Sequence, residues 1–215
     1  NDYPGHPGHR SEPLFPGPRS NEIATEIDRR GLQIAVHAIG DGAVRTTIDG
    51  YAAARNANGP RDSRHRIEHI ELIAPTDIPR LGELGIVASL QPPHPPGAMD
   101  FGLEPTIHTI GLGRLKDAYL WRTLIDAGAP LAFASDWPVT DISLMRGIQA
   151  AMTRRPFDAP GCRDERVGLG RTLHAYTAGG AWAAHWDHVT GTLSPGMAAD
   201  VVVLSGDIEA TAPEA

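Results

Sequence analysis

Four short apolar segments, separated by amphipathic segments of helix length, constrain the fold of this chain more than any other feature. The apolar segments are Leu32–Ala38, His65–Ile70, Ile86–Leu90 and Leu131–Ala134. Helical patterns precede, separate or follow them at about 20–29, 42–56, 75–84, 113–127, 142–154 and 171–184. Short, almost wholly apolar strands that alternate with helices favour a parallel sheet covered by helices. Such a sheet either closes into a barrel or stays open and doubly wound.

The two ends of the chain do not share this alternation. Residues 1–19 contain five prolines and three glycines, which predicts a loop or an extended arm because proline fixes φ and lacks a donor. Near the other end, a Ser-Pro-Gly turn precedes the valine-rich segment Ala199–Leu204, which predicts a strand of a separate β element. We therefore expect an arm at 1–19, the β/α region at 20–188, and a β segment with a tail at 189–215.

Composition narrows the class of protein. The 215 residues carry a net charge of −7, which argues against nucleic acid and anionic membranes as partners. The first 30 residues contain no apolar run, so we expect no signal peptide and no spanning helix. The single cysteine, Cys162, excludes an intramolecular disulfide and fits a cytoplasmic protein. The length also falls short of the roughly 250 residues of a closed β/α barrel.

Each apolar segment delivers a polar residue at or just beyond its end. His37 and His69 are the next-to-last residues of the first two, Gln91 and His94 follow the third, and Asp136 follows the fourth. Ligand sites of parallel sheets lie at this carboxyl edge, so we expect these side chains to meet there.

Two neutral imidazoles and a carboxylate suit a divalent metal ion such as zinc. A lone histidine at a strand end is more often structural, but three candidate positions on successive strands favour a metal site made of His37, His69 and Asp136. His65 lies at the opposite end of its strand and is predicted to be structural. For His94, a supporting role in the site and a plain loop position both stay open.

Other chemistries have weaker support. The chain has no Gly-x-Ser-x-Gly elbow, no phosphate-binding Gly-Lys-Ser/Thr motif and no complete Gly-x-Gly-x-x-Gly. Cys162 has no neighbouring base and is predicted to be unreactive. An intact doubly wound domain is disfavoured, because no loop motif binds phosphate and the final segment is predicted to be a β element.

Six segments together resemble the metal-dependent amidohydrolase superfamily. They are similar to amidohydrolase family 3, the group that includes YtcJ-like proteins and N-substituted formamide deformylases. The segments are GLQIAVHAIGDGAV (31–44), RHRIEHIEL (64–72), DIPRLGELGIVASLQPPH (77–94), YLWRTLIDAGAPLAFASDWPV (119–139), AYTAGGAWAA (175–184) and GTLSPGMAADVVVL (191–204). They occur in the family's order and cover most of residues 31–204.

The resemblance implies the C-terminal half, strands 5–8, of a TIM-like (β/α)8 hydrolase barrel, with 189–215 returning into a partial β-sandwich. It implies that His37, His69 and Asp136 bind one or two divalent ions, zinc being expected, and that Asp136 is also catalytic and relays a proton. Gln91 and His94 match a phrase near the substrate pocket. Asp41, which can also cap the helix that follows it, is a further candidate for binding or supporting the substrate. The implied reaction is hydrolysis of carbon–nitrogen bonds other than peptide bonds, in a small amide or formamide.

Two elements of the family pattern are missing. No His-x-His pair occurs, and the only lysine, Lys116, does not follow an apolar strand segment, so it is not expected to bridge two metals. We therefore expect a chain that corresponds to half a barrel and has little activity alone. The alternative is a non-catalytic half-barrel that binds a partner or forms a homo-oligomer, because its sheet would have two unpaired edges.

Overall fold

Four parallel strands form the centre of the molecule. The computed structural model describes residues 2–97 and 101–214. Within them, the strands are β1 (Ala35–Ala38), β2 (Arg66–His69), β3 (Val87–Leu90) and β4 (Leu131–Phe133). Their order in space is their order in the chain, and each neighbouring pair is parallel. A doubly wound sheet reverses its strand order at a switch point, whereas a barrel wall does not. The chain is thus an α/β half of a TIM-like barrel, as predicted.

Helices cover the sheet and connect its strands. They are α1 (Gly17–Arg29), α2 (Asp41–Asn58), α3 (Ile78–Leu84), α4 (Leu103–Ile110), α5 (Trp121–Asp126), α6 (Leu144–Thr153), α7 (Leu169–Tyr176) and α8 (Ala178–Ala183). Two 3₁₀ segments, Pro75–Asp77 and Leu112–Asp117, precede α3 and α5. None of the helices in the described residues is long and apolar enough to cross a membrane.

The core lies between the sheet and these helices. Val44 and Ile48 on α2, Leu81 on α3 and Leu124 on α5 are fully buried, as is Ile67 on β2. Complete burial of such a side chain stabilises the fold by about 1.5–3 kcal/mol. The apolar face of each helix is thereby fixed against the sheet, so the strand ends are held in place.

Chain reversal at the end of α3 depends on a glycine. Gly85 adopts the left-handed conformation with φ 65°, which glycine reaches without a steric penalty. Its N–H bonds back to the last turn of the helix, and the next residue, Ile86, donates to the carbonyl of Leu81. This turn feeds the chain directly into β3.

The α-helix predicted at 113–127 is formed only in the second half of that range. Leu112–Asp117 is a 3₁₀ helix, and the regular α-helix begins only at Trp121. Between them, Ala118 forms an antiparallel bridge with Leu72, and the Tyr119 N–H donates to the Glu71 carbonyl at 2.8 Å. This pairing replaces the backbone bonds that a continuous helix would need. It also brings residues 117–119 beside the chain that leaves β2.

Two other local expectations need correction. The helix predicted at 20–29 begins at Gly17, because Pro18 fits a first helical turn. Leu103–Ile110, for which the sequence pattern predicts no helix, forms α4, while the preceding residues 98–100 lie outside the described residues.

The predicted strand Ala199–Leu204 is not formed. Residues 201–204 have no regular structure, and Val202 and Val203 are 81% and 89% exposed. A strand is defined by a ladder of hydrogen bonds to a neighbour, and no segment among the described residues supplies that ladder. Valine-rich composition alone was therefore insufficient to predict the local structure, and the expected sandwich assignment for 189–215 stays a prediction.

Candidate metal centre

Three side chains from successive strand ends meet at the carboxyl edge of the sheet. His69 is the last residue of β2, His94 follows β3 and Asp136 follows β4. One ligand atom of each lies within 4.8 Å of the other two. His69 and His94 are 8% and 6% exposed, whereas Asp136 is half-buried. The edge expected from the sequence therefore brings together residues that are far apart in the chain.

The backbone turns sharply at two of these residues. His69 has φ 81° and Asp136 has φ 59°, a region that side chains other than glycine occupy at a cost of about 1–3 kcal/mol. Strained residues of this kind concentrate at functional sites, where the surrounding structure holds them. Their occurrence at both strand ends is what a site shaped for binding would require.

Two buried nitrogen atoms indicate whether a metal ion fits the group of His69, His94 and Asp136. His69 Nδ1 and His94 Nε2 have no hydrogen-bond partner among the described residues. The Nε2 of His94 lies 3.7 Å from Oδ2 of Asp136. A buried polar atom without a partner costs about 1–3 kcal/mol, and a cation near a carboxylate and two imidazoles would satisfy both nitrogens. The donor set therefore fits a divalent metal of the zinc type.

His69 is suited to act as a ligand in its neutral form. Burial lowers its pKa, and the positive charge that His37 can carry lowers that pKa further. The ring therefore keeps a lone pair at neutral pH, which metal binding requires.

His37 lies next to this group but outside the closest set of atoms. Its ring centroid is 4.4 Å from that of His69, with the rings nearly perpendicular. It sits on β1, an edge strand, and is exposed. The position is close enough for the predicted role, and ligation by His37 stays a prediction.

His94 is supported by two residues that sequence reasoning missed. Its Nδ1 lies 3.2 Å from Oε1 of Glu71, while the Tyr119 hydroxyl donates to Oε2 of the same carboxylate at 2.8 Å. Burial alone would raise the pKa of Glu71, but the hydrogen bonds from His94 and Tyr119 outweigh it and lower that pKa. Glu71 is therefore a carboxylate. The spacing of Glu71 two residues after His69 could have suggested it, whereas no local signal pointed to Tyr119.

Gln91 and Asp41 occupy different parts of this edge. Gln91 is buried, and its Nε2 donates to the Ser89 carbonyl at 3.3 Å. Asp41 is the first residue of α2, which begins one residue earlier than expected, with Gly40 as its N-cap. The Asp41 carboxylate accepts from the Gly42 N–H at 3.0 Å and pairs with Arg114 at 2.8 Å.

A cavity of about 510 Å³ lies next to Glu71 and Tyr119, and His69, His94 and Asp136 are not among its walls. Its walls include Asp41 and Arg114, and it reaches Glu71 and Tyr119. The N-terminal arm closes part of one side through Tyr3 and neighbouring residues. The cavity thus borders the residues that support His94.

Residues predicted to be uninvolved lie elsewhere or in inert settings. His65 is buried at the other end of β2, where both ring nitrogens have partners. Burial raises the pKa of the Cys162 thiol, which disfavours the reactive thiolate. Lys116 lies in a 3₁₀ helix and pairs with Asp117 at 2.7 Å. The structure confirms that this lysine is not at a strand end.

Comparisons with known proteins agree with this fold. The sequence model of the amidohydrolase family matches residues 1–215. The chain is 42% identical to the protein LONG AFTER FAR-RED 3 of Arabidopsis thaliana, covering 83% of this chain and 30% of that protein. It is 32% identical to the putative amidohydrolase YtcJ of Bacillus subtilis, covering 91% and 39%, and 26% identical to the N-substituted formamide deformylase of Arthrobacter pascens, covering 87% and 34%.

A solved structure shows the same architecture. A metal-dependent hydrolase from Pyrococcus furiosus superposes with a TM-score of 0.77 at 28% identity, over 96% of this chain and 40% of that one. The chain thus spans between 30% and 39% of the length of the curated relatives. With its whole length matched by the family's sequence model, the chain belongs to the amidohydrolase family.

Proposed function

We propose that this chain forms part of the active site of a metal-dependent hydrolase that cleaves carbon–nitrogen bonds of small amides or formamides, other than peptide bonds. The observation that carries the proposal is the meeting of His69, His94 and Asp136 within 4.8 Å, with two buried nitrogens that have no hydrogen-bond partner among the described residues and that a metal ion would satisfy. The names of two relatives, an amidohydrolase and a formamide deformylase, support this bond type.

His37, His69 and Asp136 are the residues that we propose hold the divalent ion, with zinc as the expected metal. When bound, such an ion polarises the substrate carbonyl and lowers the pKa of water to about 7. The ring of His69 is fixed between those of His37 and His94, at centroid distances of 4.4 and 5.6 Å. Its orientation is therefore set by packing before any ligand arrives.

Asp136 is the proposed proton carrier. Its carboxylate is half-buried at the mouth of the site, so it can reach both the buried imidazoles and an incoming substrate. During hydrolysis a carbon–oxygen bond forms to water and the carbon–nitrogen bond breaks. One carboxylate can accept the proton from water and return it to the departing nitrogen, which leaves as an amine.

The cavity next to Glu71 is the proposed place for part of the substrate. Ile39, Leu72 and Ile110 give it apolar walls, while Asp41 and Arg114 add polar groups. This mixture suits a small molecule with an apolar substituent. Gln91 Oε1 is buried with no hydrogen-bond partner in the described part of the chain, and it can accept from an amide N–H.

The length of the relatives bears on activity. Because the chain spans about a third of each curated relative, we propose that catalysis needs more of the barrel than these four strands. The second candidate is a non-catalytic half-barrel that binds a partner or a second copy of itself. The unpaired outer edges of β1 and β4 in the described sheet favour it. Light scattering tests the self-association of the second candidate, which a soluble monomer would contradict.

The direct test uses the full-length product of the gene that encodes this chain. We expect zinc-dependent release of amine from N-substituted formamides or simple amides, abolished by a chelator and by Asp136→Asn. The chain alone should release little amine under the same conditions. Equal activity of the wild type and the Asp136→Asn variant would overturn the proposal. Full activity in a protein shown to contain no metal would overturn it as well.

A further inference from the structure

We propose that Glu71 and Tyr119 are positioning residues that hold His94 with its Nε2 facing the metal ion, so that His94 is a ligand in addition to those implied by the family pattern. The inference rests on the proposed function insofar as it requires a metal at this edge. It goes further by assigning a ligand and the two residues that orient it. Nδ1 of His94 faces Glu71, and its Nε2 faces Asp136.

Both carboxylate oxygens of Glu71 are engaged. The Tyr119 hydroxyl lies 2.8 Å from Oε2, and Nδ1 of His94 lies 3.2 Å from Oε1. A carboxylate can only accept hydrogen bonds, so Nδ1 of His94 is the donor in this contact. In the neutral ring the lone pair is then on Nε2.

The Nε2 atom of His94 faces the Asp136 carboxylate, where a cation would be a good partner for both groups. It is buried and has no hydrogen-bond partner in the described ranges, and it lies 3.7 Å from Oδ2 of Asp136. The His69 ring is stacked on the His94 ring at a centroid distance of 5.6 Å. A nitrogen lone pair is repelled by a carboxylate that it faces. A metal ion between the two groups would be coordinated by both and would remove this repulsion. Histidines that bind metals generally donate their other N–H to a carboxylate in this way.

Tyr119 is itself held rigidly enough to position Glu71. Its backbone N–H donates to the Glu71 carbonyl at 2.8 Å, so the two residues are joined by both backbone and side chain. Its own carbonyl accepts from the guanidinium of Arg154 at 3.1 Å, and both side chains are buried. The Glu71 carboxylate therefore has a fixed orientation, which in turn fixes the orientation of the His94 ring.

A different protonation of His94 would give the same positions without a metal. A doubly protonated ring could lie between the carboxylates of Glu71 and Asp136 as a charged donor to both. In that case the site would bind no metal through His94. The two arrangements predict different results in the metal titration below.

The experiment titrates Co²⁺ and Zn²⁺ alone into the chain, with calorimetry for affinity and the visible spectrum of bound Co²⁺ for its ligands. We expect Glu71→Gln to weaken binding by about 10–100-fold and to alter the Co²⁺ spectrum. Tyr119→Phe, which keeps the buried ring and removes only the hydroxyl, should weaken binding by a smaller factor and shift the spectrum in the same direction. Replacement of His94 by glutamine should weaken binding at least as much as Glu71→Gln.

Tyr51→Phe is the matched control. Tyr51 is also buried, and its hydroxyl donates to the Arg66 carbonyl at 2.7 Å at the opposite end of β2. Loss of that hydroxyl should leave both the affinity and the Co²⁺ spectrum unchanged. Thermal unfolding of each variant without metal reports whether it folds, and Tyr119→Phe decides the question if Glu71→Gln does not fold.

The outcomes distinguish this inference from the proposed function. Metal binding with the same affinity and spectrum in the wild type, Glu71→Gln and Tyr119→Phe would overturn the positioning role and leave the proposed function standing. Weaker binding in both variants with an unchanged Co²⁺ spectrum would also overturn it, because His94 would then not be a ligand. Absence of metal binding by the wild-type chain would overturn the positioning role, whereas the amine-release assay on the full-length protein decides the proposed function.

Discussion

Two buried histidines lie at opposite ends of β2, and their surroundings differ. His65, just before the strand, accepts a hydrogen bond from the Ile34 N–H through Nδ1, and its Nε2 contacts the Asp28 carboxylate, both at 3.1 Å. His69, the last residue of the strand, has an Nδ1 without any partner in the described ranges. One end of the sheet satisfies its polar groups by folding alone. At the other end, folding of the described residues leaves buried polar atoms without partners.

The difference has a thermodynamic consequence. Removing one partner from a satisfied buried pair leaves the other unpaired and costs its full desolvation. Removing a buried polar group that never had a partner costs much less. A substitution at His65 should therefore lower the free energy of unfolding more than a substitution at His69. For metal affinity the order should be reversed, with the larger loss at His69.

The largest expected effect on stability is at Asp28, which contacts His65 at the end of β2 where both ring nitrogens have partners. This residue is 3% exposed, and Asn58, Arg61 and Ser63 donate to its carboxylate at 2.7–3.2 Å. Asp28→Ala should lower the free energy of unfolding by about 3 kcal/mol, because it removes the hydrogen bonds from these donors and leaves Nε2 of the buried His65 ring without its partner. Urea unfolding in the presence of a chelator measures it. The exposed Asp62→Ala in the same region is the control, and an equal loss in both variants would contradict the comparison.

A somewhat smaller effect is expected for His65→Phe. The substitution keeps an aromatic ring of similar size but removes both ring nitrogens, which leaves the Ile34 N–H without its acceptor. We expect a loss of about 2 kcal/mol in the free energy of unfolding, with metal affinity unchanged. Stability equal to that of the wild type would show that the end near His65 is not held by this network.

The pH dependence of stability should follow His65 as well. Burial holds its pKa below the ordinary value of 6.5, so near pH 6 the unfolded chain binds a proton that the folded chain does not. The stabilisation that the neutral His65 ring contributes to the folded state is therefore fully present above pH 6.5. It is lost as the pH falls from there towards the lower pKa of the folded state. Chemical unfolding between pH 7.5 and about pH 5, without metal, should give a shallower slope for His65→Gln than for the wild type. Parallel slopes would contradict this assignment.

The smallest effect on stability is expected at the unsatisfied end. His69→Phe removes a buried nitrogen that has no partner in the described part of the chain and keeps the ring contacts with His37 and His94. Its free energy of unfolding without metal should stay within about 1 kcal/mol of the wild type, while zinc binding is lost. A destabilisation as large as that of His65→Phe would mean that the two ends of β2 are built alike.

The same contrast explains what could be predicted from the sequence. His69 and Asp136 stand where an apolar strand run ends, and parallel strands bring such positions to one edge, so their approach followed from pattern alone. His65 and His69 were predicted to lie at opposite ends of the same strand, because His65 begins the apolar segment and His69 lies near its end. These inferences needed only periodicity and strand direction.

Other features depended on contacts between distant segments. Glu71 and Tyr119 are 48 residues apart, and the segment that contains Tyr119 has a helical pattern that its pairing with residues 71–73 overrides. The burial of His94 against His69 depends on how the chain turns after β3. Ala199–Leu204 shows the reverse error, since strand propensity without a neighbouring strand did not produce a strand.

Zinc calorimetry on the wild type, Asp136→Asn and His65→Gln tests the central claim most directly. The account predicts binding of zinc by the wild type, binding weakened by about tenfold or more in Asp136→Asn, and wild-type affinity in His65→Gln. Equal zinc affinity in the wild type and Asp136→Asn, or a greater loss in His65→Gln, would contradict the assignment of the metal site to the carboxyl edge of this sheet.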